Sequence, residues 1–169
     1  MRLYAVPASV CNLDRTMGIR RTTTDAEIAR AVRAAVEKAD KLTTSALQRM
    51  GEQAVTRTRD RSAAESWTDR TGNLRSSVGY LLVKNGVEAG ASAFNTVAGG
   101  SEGSDTGRRY ALQVVAEHPS DYTLAVVAGM DYAQYVESRG RDVLASTVLW
   151  AERELPRVAA KLRNHVLND

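Results

Sequence analysis

Cysteine is nearly missing from this chain: Cys11 stands alone in 169 residues, which excludes an intramolecular disulfide and a cysteine metal cluster. A reduced compartment fits that usage. Histidine is as scarce, with His118 before a proline at an expected helix end and His165 in the last turn of an expected final helix. Neither has a partner at metal-ligand spacing, and a zinc site from Cys11, His118 and His165 would need three distant segments to converge. No metal, cofactor or catalytic set is expected. Aromatics make up 5% of the chain, and Tyr80, Tyr110, Tyr122, Tyr132 and Tyr135 all follow residue 78, which places the expected dense packing in the second half. No apolar run approaches the roughly 20 residues of a membrane helix. Residues 1 to 10 carry no long apolar stretch behind a basic segment, so neither a signal peptide nor a membrane span is expected.

What is present is an ordinary globular composition, 43% hydrophobic and 25% charged, and one domain is the expectation at this length. The net charge of +3 and pI near 9.2 are mildly basic, enough for weak contact with a nucleic-acid backbone and short of a dedicated binder.

Residues 1 to 22, with Pro7, Gly18 and the basic group Arg15, Arg20 and Arg21, show no sustained period and read as an extended arm, expected to be ordered by neighbouring subunits. Thr24 before Asp25-Ala26-Glu27 is a helix start, because the hydroxyl caps free N–H groups and the acids suit the helix dipole. From there Ile28, Val32, Ala35, Ala39, Leu42, Ala46, Met50 and Ala54 recur at three- and four-residue steps, which predicts one long amphipathic helix over residues 24 to 58. Its stripe is rich in alanine and buries little area per residue, so it leans on tertiary or subunit contacts. Arg57, Arg59 and Arg61 read as a solvated helix end.

Tyr80-Leu81-Leu82-Val83-Lys84 is rich in strand formers, and Asn85-Gly86 is the pair that a two-residue type I′ hairpin turn favours. A return strand over residues 87 to 94 follows. Residues 95 to 107, with Gly99, Gly100, Gly103 and Gly107, read as a flexible loop. It lacks the Gly-Lys-Ser/Thr ending of a phosphate cradle. A short helix from Thr106, carrying Tyr110, Ala111, Val114 and Val115, should end at His118-Pro119. Tyr122-Thr123-Leu124-Ala125-Val126-Val127-Ala128 reads as a central strand covered on both faces. A short helix stopped by Gly140 comes next, then a short strand at Asp142-Val143-Leu144. The final helix should be capped by Ser146 or Thr147, carry Val148, Ala151, Leu155, Val158, Leu162 and Val166 on one face, and kink or restart at Pro156.

Between helix and hairpin lies Arg70-Thr71-Gly72-Asn73-Leu74-Arg75-Ser76-Ser77-Val78. Gly72 is expected at a left-handed backbone angle, and Leu74 and Val78 on one buried face, with Arg75 and Ser76 outward. This stretch resembles the Arg-Thr-Gly-x-Leu-Arg-x-Ser turn of the small head-tail joining or tail-completion proteins in the neck of long-tailed bacteriophages. Those proteins also carry Tyr-Ala-x-x-Val-Glu-x-Gly after a strand. Here Tyr132-Ala133 and Val136-Glu137 match, with one extra residue before Gly140. The resemblance spans roughly residues 24 to 166 and implies a virion protein, assembled in the host cytoplasm, whose homo-oligomeric ring of six- or twelvefold symmetry docks on a portal or adaptor and on a tail-tube or terminator protein. Arg70, Thr71, Gly72, Leu74, Arg75, Tyr132, Val136 and Glu137 would form its hinge and assembly motif.

Glu137, beside Tyr132 and Tyr135, is expected in an ion pair with Arg70, Arg75 or Arg139. The alternative reading is a basic nucleic-acid-binding module that uses Arg57, Arg59, Arg61, Arg108 and Arg109 on the phosphate backbone. A small enzyme is the third reading, and the sequence supplies no convergent nucleophile, base or metal set for it. The expected fold is α+β: a long N-terminal helix and a C-terminal helix on a small, mainly antiparallel sheet with a β-hairpin, residues 23 to 169 forming a single domain.

Overall fold

Thr24 caps the first helix as its chemistry requires. Its hydroxyl accepts from the Glu27 N–H at 3.3 Å while the Glu27 carboxylate accepts the Thr24 N–H at 2.8 Å, a reciprocal capping box. The computed structural model describes residues 23 to 168 other than Ala63 and Glu65; the expected arm, residues 1 to 22, lies outside the described residues.

Helix α1 (Asp25–Arg59) leads to the single turn α2 (Asn73–Ser76), the hairpin β1 (Val78–Lys84) and β2 (Val87–Ala91), helix α3 (Ser101–Glu117), strand β3 (Tyr122–Ala128), the short α4 (Ala133–Ser138) and α5 (Ala145–Asn168). The fold is α+β, with one antiparallel sheet of order β2-β1-β3 among the described residues. Asn85 and Gly86 sit at φ 50° and 80°, the pair of positive angles that a type I′ turn demands. The return strand ends at Ala91, short of the expected residue 94, and a bulge shifts its register between Leu82 and Val83.

Side chains alternate across β1. Val78, Tyr80 and Leu82 join Val55, Trp67 and Leu74 under α1, while Leu81 and Val83 join Phe94, Ala111, Ala125 and Val127 under α3. β1 is therefore the central strand, covered on both faces, and β3 lies at an edge; both runs are apolar, and only the pairing order separates them. Helix α5 runs back along α1, with the Thr147 and Thr58 hydroxyls 2.9 Å apart and Leu162 and His165 sharing a groove with Leu42.

Three further expectations are corrected. The glycine-rich stretch of residues 95 to 107 is not a loop throughout, because α3 begins at Ser101 and its buried Gly103 and Gly107 are packing positions. Asp142-Val143-Leu144 forms no strand; Val143 drops into the core and the other two lead into α5. α5 begins at Ala145, ahead of Ser146 and Thr147, and continues through Pro156. Of the tyrosines after residue 78, Tyr110, Tyr132 and Tyr135 stand exposed and Tyr80 is buried; Trp67 and Phe94 are the other buried aromatics. Burial and the neighbouring Glu52 push the Tyr80 hydroxyl up to about 12.

Candidate assembly site at the hinge

Gly72 opens α2 at φ 77°, and its N–H donates to the Asp69 carboxylate at 3.0 Å. A Cβ built there would stand 1.8 Å from the Val97 carbonyl oxygen, so both angle and space require glycine. Leu74 and Val78 are fully buried as expected. Ser76 is not outward: it is buried, its hydroxyl accepting the Val97 N–H at 2.8 Å. Arg75 is half buried, its guanidinium 5.4 Å over the Trp67 ring and its Nε 3.7 Å from Asp69.

Two arginines fasten this turn to the end of α1. Arg59 donates to the carbonyls of Arg75 at 3.1 Å, Ser76 at 3.3 Å and Asn95 at 2.9 Å, and Arg75 donates in return to the Arg59 carbonyl. Burial lowers the pKa of Arg59, with the nearby Arg75 charge adding to the shift. Arg59 stays cationic, because a guanidinium titrates far above neutrality. From the other side α3 lies backbone to backbone on α2: a Cβ on Gly103 would stand 2.0 Å from the Asn73 carbonyl oxygen, and one on Gly107 2.4 Å from that of Ser77.

The two motifs meet. Arg70, Thr71, Leu74, Tyr132 and Val136 line one cleft of about 540 Å³ beside Trp67 and Glu102. Arg70 and Thr71 are exposed at its lip. Burial raises the pKa of the half-exposed Tyr132 hydroxyl, with the Asp69 carboxylate adding to that and a hydrogen bond with Thr71 opposing it. Glu137 makes no ion pair with Arg70, Arg75 or Arg139. Its Oε1 accepts the N–H groups of Leu144 at 2.9 Å and Ala145 at 2.7 Å, which makes it the cap of α5 that the sequence reading assigned to Ser146 or Thr147. Asp142 completes the cap by accepting the Ser146 N–H at 3.1 Å. The motifs thus lock α1, α2, α3 and the start of α5 together.

The arginines proposed to face DNA do not form one patch. Arg59 points into the hinge. Arg61, with a side chain only 13% exposed, pairs with Asp142 at 2.5 Å and donates to Thr147 at 2.6 Å. Arg57 lies 5.2 Å over the Trp150 ring at the α1–α5 seam, Arg108 sits 3.6 Å from Glu88, and Arg109 lines a cleft with Asp105 and Asp131. An aromatic ring at Arg57, backbone carbonyls at Arg59 and a salt bridge at Arg61 engage the guanidinium groups that an alternating run of arginines offers on paper. No signal in the sequence marks Arg59 as the clamp, whereas Gly103 and Gly107, one helical turn apart, carry a small-residue spacing that could have been recognised.

Apolar side chains also stand in the open at two separate places. Residues 25 to 38 of α1 are exposed throughout, and Val32 and Val36 are each 56% exposed. Val148, Leu149 and Leu155 stand out from α5. Among the described residues no His, Cys, Asp or Glu cluster could hold a metal ion, and no helix is long and apolar enough to cross a membrane. No protein-family model, curated protein or solved structure matches this chain.

Proposed function

We propose that this protein is a structural component of a bacteriophage neck, a ring-forming subunit that joins the DNA-filled head to the tail or completes the head-proximal end of the tail. The observation that carries this reading is the outer part of α1: residues 25 to 38 are exposed, yet they continue the apolar stripe that is partly covered at Ala39, Leu42 and Ala46 and buried at Met50 and Ala54. A helix keeps such a stripe bare only at a cost in stability and solubility, and a neighbouring subunit removes that cost. The hinge chemistry agrees with a shape-holding role, since Arg59, Arg75, Asp69 and Glu137 engage the protein's own backbone or one another. A portal or adaptor protein on one side and a tail-tube or terminator protein on the other are the proposed partners, in the virion and, during assembly, in the host cytoplasm. DNA in the lumen would be met without sequence preference.

The test is sedimentation and negative-stain electron microscopy of the purified chain beside Val32→Glu. Closed rings from the native chain and smaller species from the folded variant are expected, because a buried unpaired carboxylate opposes association. A native chain that stays monomeric at concentrations of about 100 μM, well above the Kd of a stable assembly, refutes the reading.

A further inference from the structure

The packing of α1 on α5 leaves a groove of about 410 Å³ along one flank of the pair. The Thr58–Thr147 hydroxyl contact and the stacking of Arg57 on Trp150 set the antiparallel register of the two helices. That register brings Leu42 level with Leu162 and His165 at one end of the groove, and Gln53 level with Glu154 at the other. The floor is apolar, with Ala46, Met50, Val158 and Leu162. The rim is charged and not uniform: Lys161 stands exposed toward the Leu42 end, and Glu154 lies toward the Gln53 end.

An apolar floor between two helices suits a third amphipathic helix, anchored by side chains four and seven residues apart. The chain itself carries one of matching length. Residues 25 to 36 of α1 are exposed and rise about 16 Å, as do residues 42 to 53 along the groove wall. Ile28, Val32 and Ala35 form its anchor series. Charge then fixes its direction. Glu27 and Arg33 lie about 9 Å apart along α1, and Lys161 and Glu154 about 10 Å apart along α5. A helix laid antiparallel to α5 therefore sets Glu27 beside Lys161 and Arg33 beside Glu154, whereas the reversed helix would oppose like charges at both places. Glu154 already holds Arg157 at 3.2 Å, and its two oxygens have acceptor capacity for a second guanidinium.

We infer that residues 25 to 36 of α1 in one copy of the chain lie in the α1–α5 groove of the next copy, parallel to its α1 and antiparallel to its α5. In this stagger Leu42 of the incoming copy stands level with Ala145, the first residue of the receiving α5. The incoming copy's own α5 reaches Leu42 with its last turns, so it ends where the receiving α5 begins, and the two do not compete for the groove. Helix and groove are different surfaces of one chain. The contact is therefore head-to-tail, each copy offers both halves of it, and a suitable rotation from copy to copy closes it into a ring. This inference rests on the ring reading above and names the contact between neighbours.

The test mixes light full-length chains that carry a photocrosslinking benzoylphenylalanine at Val32 with isotopically heavy wild-type chains and identifies the joined peptides by mass spectrometry. Light residue 32 joined to heavy peptides covering residues 42 to 53 or 154 to 165 is expected. In parallel, Lys161→Glu should raise the dissociation constant of the assembly about fivefold, the effect of turning one attractive exposed pair into a repulsive one, and adding Glu27→Lys to the same chain should bring it back toward the wild-type value. Joining to heavy residues 25 to 38, which would mean that the stripes pair with each other, or to any surface outside the groove, overturns the inference. A dissociation constant that Lys161→Glu leaves unchanged overturns it too, and all of these results leave the ring reading standing. A full chain that forms no oligomer removes both.

Discussion

Asp142 ties α5 to the segment that follows α1: its carboxylate faces Arg61 and accepts from Ser146 in the first turn of α5, and its main-chain carbonyl takes the Ser66 hydroxyl at 2.8 Å. Burial pushes its carboxyl upward, but hydrogen bonds from Ser146 and the Arg61 charge outweigh it, and its pKa falls below the ordinary 3.8. A folded-state pKa below the unfolded value contributes stability that is present above the unfolded pKa and lost as pH falls through the folded one. Acid should therefore loosen the start of α5 below pH 3.8, the ordinary value for this carboxyl, with the Ser146 amide losing protection first. Asp142→Asn should be less stable at neutral pH and should lack that acid step. An NMR pH titration of the two proteins checks this, and identical acid profiles would refute it.

At the scale of elements, what was legible in the sequence was what neighbouring residues settle among themselves. Thr24 and Glu27 cap α1 from three positions apart, Asn85-Gly86 turns the hairpin, and Gly72 takes the angle that only glycine adopts freely. The misread parts depend on partners far along the chain. Gly103 and Gly107 looked like loop residues because glycine weakens a helix, yet they belong to one because Asn73 and Ser77 leave no room for a side chain. Glu137 looked like half of an ion pair because arginines flank it, and the amides it caps became visible only once Leu144 had folded back. Gly103→Ala separates the two views of α3. Helix propensity alone predicts a gain of up to about 1 kcal/mol, whereas the close contact with Asn73 predicts a loss of about 1–3 kcal/mol from overpacking. Urea unfolding reads the sign, and a stabilised variant would refute the backbone-to-backbone packing.

At the scale of the whole molecule, the described residues form an α+β fold beyond which residues 25 to 38 of α1 stand exposed. On the neck reading proposed above, Gly72→Val should leave DNA packaging and tail-tube formation mostly intact while filled heads and finished tails fail to join. Its Cβ would displace the Val97 carbonyl, and its positive φ adds about 1–3 kcal/mol of strain. Electron microscopy of lysates beside wild type decides this: normal yields of joined particles from a stably folded variant would refute a hinge that shapes the assembly surface. The exposed end of α1 has a mechanical consequence. Asp40 is held to the sheet by the Tyr122 hydroxyl at 3.1 Å and Lys84 at 2.7 Å, so the free lever runs from Asp25 to Ala39. At 1.5 Å per residue it is about 22 Å long, and a tilt of about 5° at Asp40 swings its tip by about 2 Å. On the ring reading proposed above, the seating of Asp40 on β3 would set the angular tolerance between one subunit and the next.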